Sequence, residues 1–278
     1  MSSTATAIGP AVSERPQRSA LGWAVSDTST IAWRNLITLK RLPQLLIFAT
    51  VQPVIFVLMF RYVFGGAIGS VTLAPGKVFP YVDYLMPGIF AQVVVFGSLA
   101  TAIGLATDLK SGLLERFRSL PMARSAVLAG RTLADLTRNV FVIVLMVLVG
   151  FAVGFRVHSN VFSVIAGMLL VLLFGYAMCW IFATVGLAVG DPETAQAAAF
   201  PVLAPLVFAS SAFVKVASMP GWLQGWAKNQ PVSVTVSAVR DLMLGLPAAS
   251  DVLKSVVWLL GILVVFVPLS VRLYRRSV

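Results

Sequence analysis

Cysteine and histidine are almost missing from this chain: its 278 residues hold one of each, Cys179 and His158. One cysteine excludes an intrachain disulfide and any cysteine-built metal cluster. One histidine excludes a His-pair zinc site and a pair of histidine ligands for a haem, and beside Arg156 and Ser159 it reads as a turn residue. Charge is scarce too. Asp, Glu, Lys and Arg make up 11% of the residues, against about 25% in ordinary soluble domains. Acidic groups are the scarcer sign, 10 against 21 Lys and Arg, which leaves a formal net charge of +11. The basic residues are dispersed at the ends of apolar blocks. That is the pattern that orients membrane helices rather than a phosphate-tracking groove, so nucleic acid is not an expected partner.

What is plentiful is apolar, 59% of the chain, and it gathers in blocks. Crossing about 30 Å of hydrocarbon takes roughly 20 helical residues, and several blocks are that long. Alternating segments of about ten residues, the mark of a membrane barrel, are not seen. The expected fold is an all-α integral membrane protein with six transmembrane helices, at about residues 44–64, 84–107, 127–155, 161–189, 195–216 and 252–273. Residues 1–25, rich in Ser, Ala, Thr and Pro, read as a disordered tail, and no cleavable signal pattern is present. Residues 27–41 place Ile31, Trp33, Leu36 and Leu39 among Arg34, Lys40 and Arg41, which predicts an interfacial amphipathic helix set off by Pro43. Residues 65–83 read as a polar loop. Between the fifth and sixth spans, residues 215–254 hold two apolar pieces too short to cross, of the kind that are re-entrant or interfacial.

Six spans put both termini on one side. With the termini inside, fourteen of the 21 Lys and Arg fall on that side, including Arg34, Lys110, Arg116, Arg124, Arg272 and Arg275. The positive-inside rule therefore places both termini in the cytosol.

The segment around which this layout turns is residues 111–121, a charged interruption between spans two and three. On a helix Leu113, Phe117 and Leu120 share a face while Glu115, Arg116 and Arg118 point elsewhere, and Pro121 ends it. Either a solvated loop helix or a helix offered to a cytosolic partner fits that pattern. Just beyond, Arg131, Asp135 and Arg138 at i, i+4 and i+7 predict a charge ladder on one face at the cytosolic end. Asp135, so close to two arginines, reads as a structural ion pair rather than a proton relay. The Gly150/Gly154 and Gly186/Gly190 pairs predict packing within the bundle. Gly76-Lys77 lacks every other feature of a Walker A loop, so ATP is not expected on this chain, and energy for uphill transport would come from a separate protein.

Leu114-Glu115-Arg116-Phe117-Arg118-Ser119-Leu120-Pro121-Met122, followed by Leu128-Ala129-Gly130-Arg131, resembles the segment between spans two and three of type-2 ABC exporter permeases, most closely the daunorubicin-resistance type. The resemblance extends to Asp83-Tyr84-Leu85-Met86-Pro87-Gly88 and to the stretches Ser210-Ser211-Ala212-Phe213-Val214 and Met219-Pro220-Gly221-Trp222-Leu223, with Asn229-Gln230-Pro231 where the family has Asn-Pro. It implies one type-2 ABC transmembrane domain over residues 26–278. It also implies a cytosolic coupling helix of Gly112, Leu113, Leu114, Glu115, Arg116, Phe117, Arg118 and Leu120 seated in a separate ATPase, and two short outer helices forming a hairpin between spans five and six. The working unit it implies is two ATPases, which hold ATP and Mg, with two permeases as a homodimer or heterodimer in the plasma membrane. The cargo would be a hydrophobic or amphipathic drug or lipid moving outward past spans two and five, for instance past Gln92, Ser98, Thr101, Ser210 and Ser211. The alternatives are an ATP-independent secondary carrier or channel, which needs an intramembrane charge, and a lipid-acting membrane enzyme, which needs a cluster of His, Asp, Glu or Cys at one face. A neighbouring gene for an ATPase separates them from the first reading.

Overall fold

A computed structural model describes residues 43–112 and 124–277. The expected N-terminal tail, the interfacial helix at 27–41 and residues 113–120 of the coupling helix lie outside the described residues. The described chain is helical apart from one hairpin. Helix α1 is Pro43–Met59 and runs on through a wider π-helical turn, Phe60–Phe64, and a last turn, Gly65–Ile68. Strands β1 (Ser70–Ala74) and β2 (Lys77–Pro80) precede α2 (Tyr81–Lys110), α3 (Arg124–Val153), α4 (Val161–Val189) and α5 (Pro192–Phe208). Two short helices, α6 (Gly221–Asn229) and α7 (Pro231–Leu244), lead to α8 (Ala249–Ser277).

Side-chain contacts fix the direction of each helix. At one end Lys110 meets Asp191, joining the end of α2 to the start of α5 at 2.7 Å, and Tyr274 of α8 is buried with Leu105 and Leu128. At the other end the Arg156 N–H donates to Asp83 at 2.9 Å, the Tyr84 hydroxyl donates to the Ser211 carbonyl at 3.1 Å, and Phe60 stacks on Phe213 at 4.6 Å. Helices α1, α2, α3, α4, α5 and α8 therefore run end to end in alternating directions, with the hairpin, α6 and α7 gathered at the Tyr81 end. Among the described residues four helices are long and apolar enough to cross a membrane: α2, α3 from Gly130, α4 and α8. Helices α1 and α5 have 17 residues each, and the described apolar part of α1 runs on to Phe64.

Helix α2 is the axis of the bundle. Its first half, from Tyr81 to Val95, is buried on every side, so it reads apolar all round, as an interior helix does. Helix α3 is different. Leu128, Thr132, Asp135, Asn139, Val142 and Met146 recur at i, i+4, i+7, i+11, i+14 and i+18 and are buried, while Leu133, Val140, Phe141, Val144 and Leu148 are exposed. A helix whose outward face is apolar and whose inward face is partly polar is built for a lipid surround.

Two expectations from the sequence are corrected. Residues 65–83 are not a loop. Ser70, Val71, Thr72 and Ala74 pair across a Pro75-Gly76 turn with Pro80, Phe79, Val78 and Lys77, in the antiparallel register Val71↔Phe79 and Thr72↔Val78. Proline followed by a glycine at φ +72° is what a tight turn with a left-handed third position requires. As a result α2 begins at Tyr81 and takes Asp83 into its first turn. The fifth helix ends at Phe208 rather than near 216. There the Ser210 hydroxyl donates to the Val207 carbonyl at 2.6 Å and accepts the Ala212 N–H at 3.2 Å, the local serine–backbone bonding that competes with a helix.

The chain beyond that break packs inward. A Cβ at Gly88 would fall on the Ala212 carbonyl, 2.1 Å away, so only glycine lets residues 210–213 close over α2. Arg240 of α7 locks the closure: it donates to the Tyr84 carbonyl at 3.0 Å and the Ser211 carbonyl at 2.8 Å, and its guanidinium lies 3.7 Å over the Tyr84 ring.

Candidate functional site

Helices α2 and α3 face each other through a polar seam. On α2 the facing positions are Gly97, Thr101, Gly104 and Asp108, at i, i+4, i+7 and i+11 of one helical face. On α3, running the other way, they are Arg138, Asp135 and Arg131. Arg138 donates to the Gly97 carbonyl at 2.6 Å. The Thr101 hydroxyl donates to Asp135 at 2.6 Å, and Arg138 lies 3.5 Å from the same carboxylate. Arg131 pairs with Asp108 at 2.5 Å, and a Cβ at Gly104 would occupy the place of its guanidinium. Small residues on α2 thus make room for the long charged ones on α3.

The seam has two ends. One is the Lys110 end of α2, where the chain leaves the helix at Ser111 and Gly112, the latter at φ +67°. Beside it Asp191 starts α5: it accepts the Thr194 N–H at 3.1 Å, with Pro192 in the first helical position. The Lys110 ammonium, then the Thr194 N–H, hold the Asp191 carboxyl down at about 2. The other end of the seam opens into a cavity of about 280 Å³ between α1, α2 and α3. Its polar lining is Gln52, Gln92, Arg138 and Asn139, and Pro53, Phe96, Leu99 and Val142 supply apolar wall. Gln92 and Asn139 are 4% and 1% exposed, and Gln92 Oε1 and Asn139 Nδ2 have no hydrogen-bond partner.

The residues singled out in the sequence are distributed as follows. Arg131, Asp135 and Arg138 all lie on the seam, but Arg131 turns to Asp108 of α2, not to Asp135. Gln92 lines the cavity and Thr101 sits in the seam. Ser98 faces α4, donating to the Val94 carbonyl at 2.7 Å with Cys179 Sγ at 3.6 Å. Ser210 and Ser211 belong to the buried closure around Arg240 at the Tyr81 end, where Ser211 and Ser233 bond to each other. Gly112 is described, and Leu113, Leu114, Glu115, Arg116, Phe117, Arg118 and Leu120 lie outside the described residues. Asp108, Asn139 and Arg240 were not anticipated. For the first no signal was available, because one sequence does not give the register between two helices.

Comparison with known proteins adds to this geometry. The ABC-2 type transporter family description matches residues 26–244. The chain is 38% identical over 264 residues to the daunorubicin resistance ABC transporter permease protein DrrB1 of Streptomyces coeruleorubidus, covering 95% of this chain and 90% of that one. It is 30% identical over 230 residues to the probable doxorubicin resistance ABC transporter permease protein DrrC of Mycobacterium tuberculosis, covering 82% and 81%. The inner membrane transport permease YadH of Escherichia coli is 27% identical over 221 residues, 78% of this chain and 82% of that one.

Proposed function

The chain belongs to the ABC-2 type transporter family and is a permease subunit of an ABC exporter, and from that premise we propose how it works and what it carries. Its cargo is a hydrophobic or amphipathic drug or lipid, moved outward across the plasma membrane. Relatives named for daunorubicin and doxorubicin resistance favour the drug. Two copies of a separate ABC ATPase, holding ATP and Mg, drive two permeases, as a homodimer or a heterodimer. The six end-to-end helices are the six spans, with both termini in the cytosol. Helices α6 and α7 form a re-entrant hairpin on the outer side, a position that suits the exposed Trp222 and Trp226 of α6. Residues 26–278 act as one transmembrane domain.

The observation that carries the mechanism is the α2–α3 seam. It joins the segment that starts at Gly112, the ATPase-coupling helix in this reading, to the cavity lined by Gln92 and Asn139. Movement of the coupling helix on ATP binding shifts the ends of α2 and α3 to which it is joined. Ion pairs and hydrogen bonds along the seam pass that movement to the cavity walls, which is how one ATPase state is made to favour one permease state. The test is co-purification: the native chain, co-expressed with the ABC ATPases of its own organism, retains one of them through detergent extraction, and Glu115→Ala with Phe117→Ala loses it. A folded native chain that recovers no ATPase would overturn the coupling assignment.

A further inference from the structure

Helix α8 packs on the bundle by a narrow face, on which Ser255, Leu259, Ile262 and Ser270 are buried. The rest of the described chain leaves its opposite face uncovered. Val257, Trp258 and Val265 are 62%, 46% and 56% exposed there, and a Cβ at Gly261 would meet nothing within 4 Å. With glycine among these larger side chains, the surface falls away into an open groove of about 500 Å³. It is lined by Val257, Trp258, Gly261, Ile262, Val265 and Phe266. Apart from the indole N–H, no side chain in that lining is polar, so the groove suits an acyl chain.

The groups that stand above the groove select its occupant. Asp251, Lys254, Trp258, Gly261 and Val265 recur at i, i+3, i+7, i+10 and i+14, one stripe of the helix. At a rise of about 1.5 Å per residue, Lys254 lies about 4.5 Å along the axis from Asp251, Trp258 about 6 Å further and Gly261 about 4.5 Å beyond that. The Lys254 ammonium is 3.6 Å from the Asp251 carboxylate, with the lysine side chain 67% and the aspartate side chain 32% exposed. An exposed ion pair of this kind contributes little by itself, so its two charges can exchange one another for those of a ligand. Tryptophan one turn from lysine settles in the headgroup layer of a bilayer. There the lysine stem covers apolar surface while its ammonium reaches the phosphates.

A phospholipid with a free ammonium carries its groups in the same order along its length: ammonium, phosphate, ester, acyl chain. We propose that this stripe of α8 is a binding site for one phosphatidylethanolamine molecule. Asp251 takes the ethanolamine ammonium, Lys254 the phosphate, the Trp258 indole N–H donates to an ester carbonyl, and the groove at Gly261 holds an acyl chain. An anionic lipid satisfies Lys254 but has no cation to offer Asp251. An apolar helix of a second copy would cover the groove and offer nothing to the charge pair above it. The site lies away from the α2–α3 seam and requires only that α8 crosses the membrane, for which it is long and apolar enough.

The test is native mass spectrometry of the full-length chain, released from detergent micelles after titration with one lipid at a time. It counts bound lipids and gives the affinity of the first. The probes are phosphatidylethanolamine, phosphatidylcholine and phosphatidylglycerol with identical acyl chains. Tightest binding of phosphatidylethanolamine is expected. Asp251→Asn weakens it about tenfold, as loss of one charged hydrogen bond predicts, and leaves phosphatidylglycerol bound as tightly as before or more so. Lys254→Gln weakens all three lipids. Gly261→Leu, which fills the groove and leaves both charges in place, weakens all three as well. These two substitutions lie on the uncovered face, so the test stands even if Asp251→Asn, beside Asp241, fails to fold. Equal affinity of the native chain for the three lipids would overturn the assignment, as would phosphatidylethanolamine binding unaltered in Lys254→Gln or Gly261→Leu. A Gly261→Leu chain that turns from dimer to monomer while binding lipid as before would overturn it too, and would make a second copy the occupant.

Discussion

Arg131 of α3 reaches across to Asp108 of α2 at 2.5 Å, over the one place on that face, Gly104, where a side chain would block it. Both partners are only 20% exposed, so the pair is poorly screened by solvent. It is the rung of the seam nearest the segment that starts at Gly112.

If this rung fastens α2 to α3, Asp108→Ala lowers stability by about 2 kcal/mol, the range for a charged hydrogen bond lost in a largely buried site. Arg131→Ala acts on the same interaction, so the double variant is less destabilised than the sum of the two. Thermal unfolding in detergent through a double-mutant cycle measures this, and a coupling of at least ~1 kcal/mol is expected. Additive effects would show that the two residues act independently.

Gly104→Leu tests the same contact from the other side. The new side chain displaces the Arg131 guanidinium while leaving both charges in the chain. Loss of ATP-driven transport with a modest fall in unfolding temperature is expected. Full transport by a folded Gly104→Leu protein would contradict a role for the rung in coupling.

Much of this was legible before any coordinates, and what was not has a physical reason. Long apolar runs place helices well, because length and composition alone decide whether a segment can cross, and α4 spans Val161–Val189 as the sequence predicts. Asn160 caps its start, accepting the Ser163 N–H at 2.8 Å. Arg131, Asp135 and Arg138 stood out as a single-face set. Their true partners did not, since Thr101 and Asp108 belong to another helix and one sequence gives no register between helices. The hairpin at Ser70–Ala74 and Lys77–Pro80 was missed because glycine and proline count toward a loop and toward a tight turn alike. The early end of α5 depended on Ser210 bonding back to Val207, a local competition that an apolar run conceals.

Arg240 is 4% exposed and gives its hydrogen bonds to two backbone carbonyls, those of Tyr84 and Ser211. Lysine cannot reproduce that fork or the stacking on the Tyr84 ring. Arg240→Lys therefore lowers the unfolding temperature measurably, and Arg240→Ala, which removes both hydrogen bonds and the stacking on Tyr84 from a buried site, costs about 2–5 kcal/mol. Differential scanning calorimetry in detergent checks this, and an unchanged transition for Arg240→Lys would contradict it.

Asp241, beside Arg240 on α7, gives a pH dependence. Burial first, and then the neighbouring Asp251 carboxylate, push its carboxyl up to about 6. An unfolded aspartate titrates near about 3.9, so between roughly pH 4 and pH 6 the folded chain holds the proton that the unfolded chain releases. The contribution of this group to stability therefore falls as pH rises through that window and stays low above it. Asp241→Asn removes the fall: its unfolding temperature exceeds that of the native chain at pH 7.5 and approaches it at pH 4. Parallel curves for the two proteins across that range would contradict the shift.

The central claim, that this permease is driven by a separate ATPase, is tested most directly by uptake of doxorubicin into inside-out membrane vesicles containing both proteins, with ATP supplied and the proton gradient collapsed. Uptake that requires ATP and both subunits, and that disappears with Glu115→Ala and Phe117→Ala, is the predicted result. Uptake by vesicles lacking the ATPase, driven by an imposed proton gradient alone, would contradict the account and make the chain a secondary carrier.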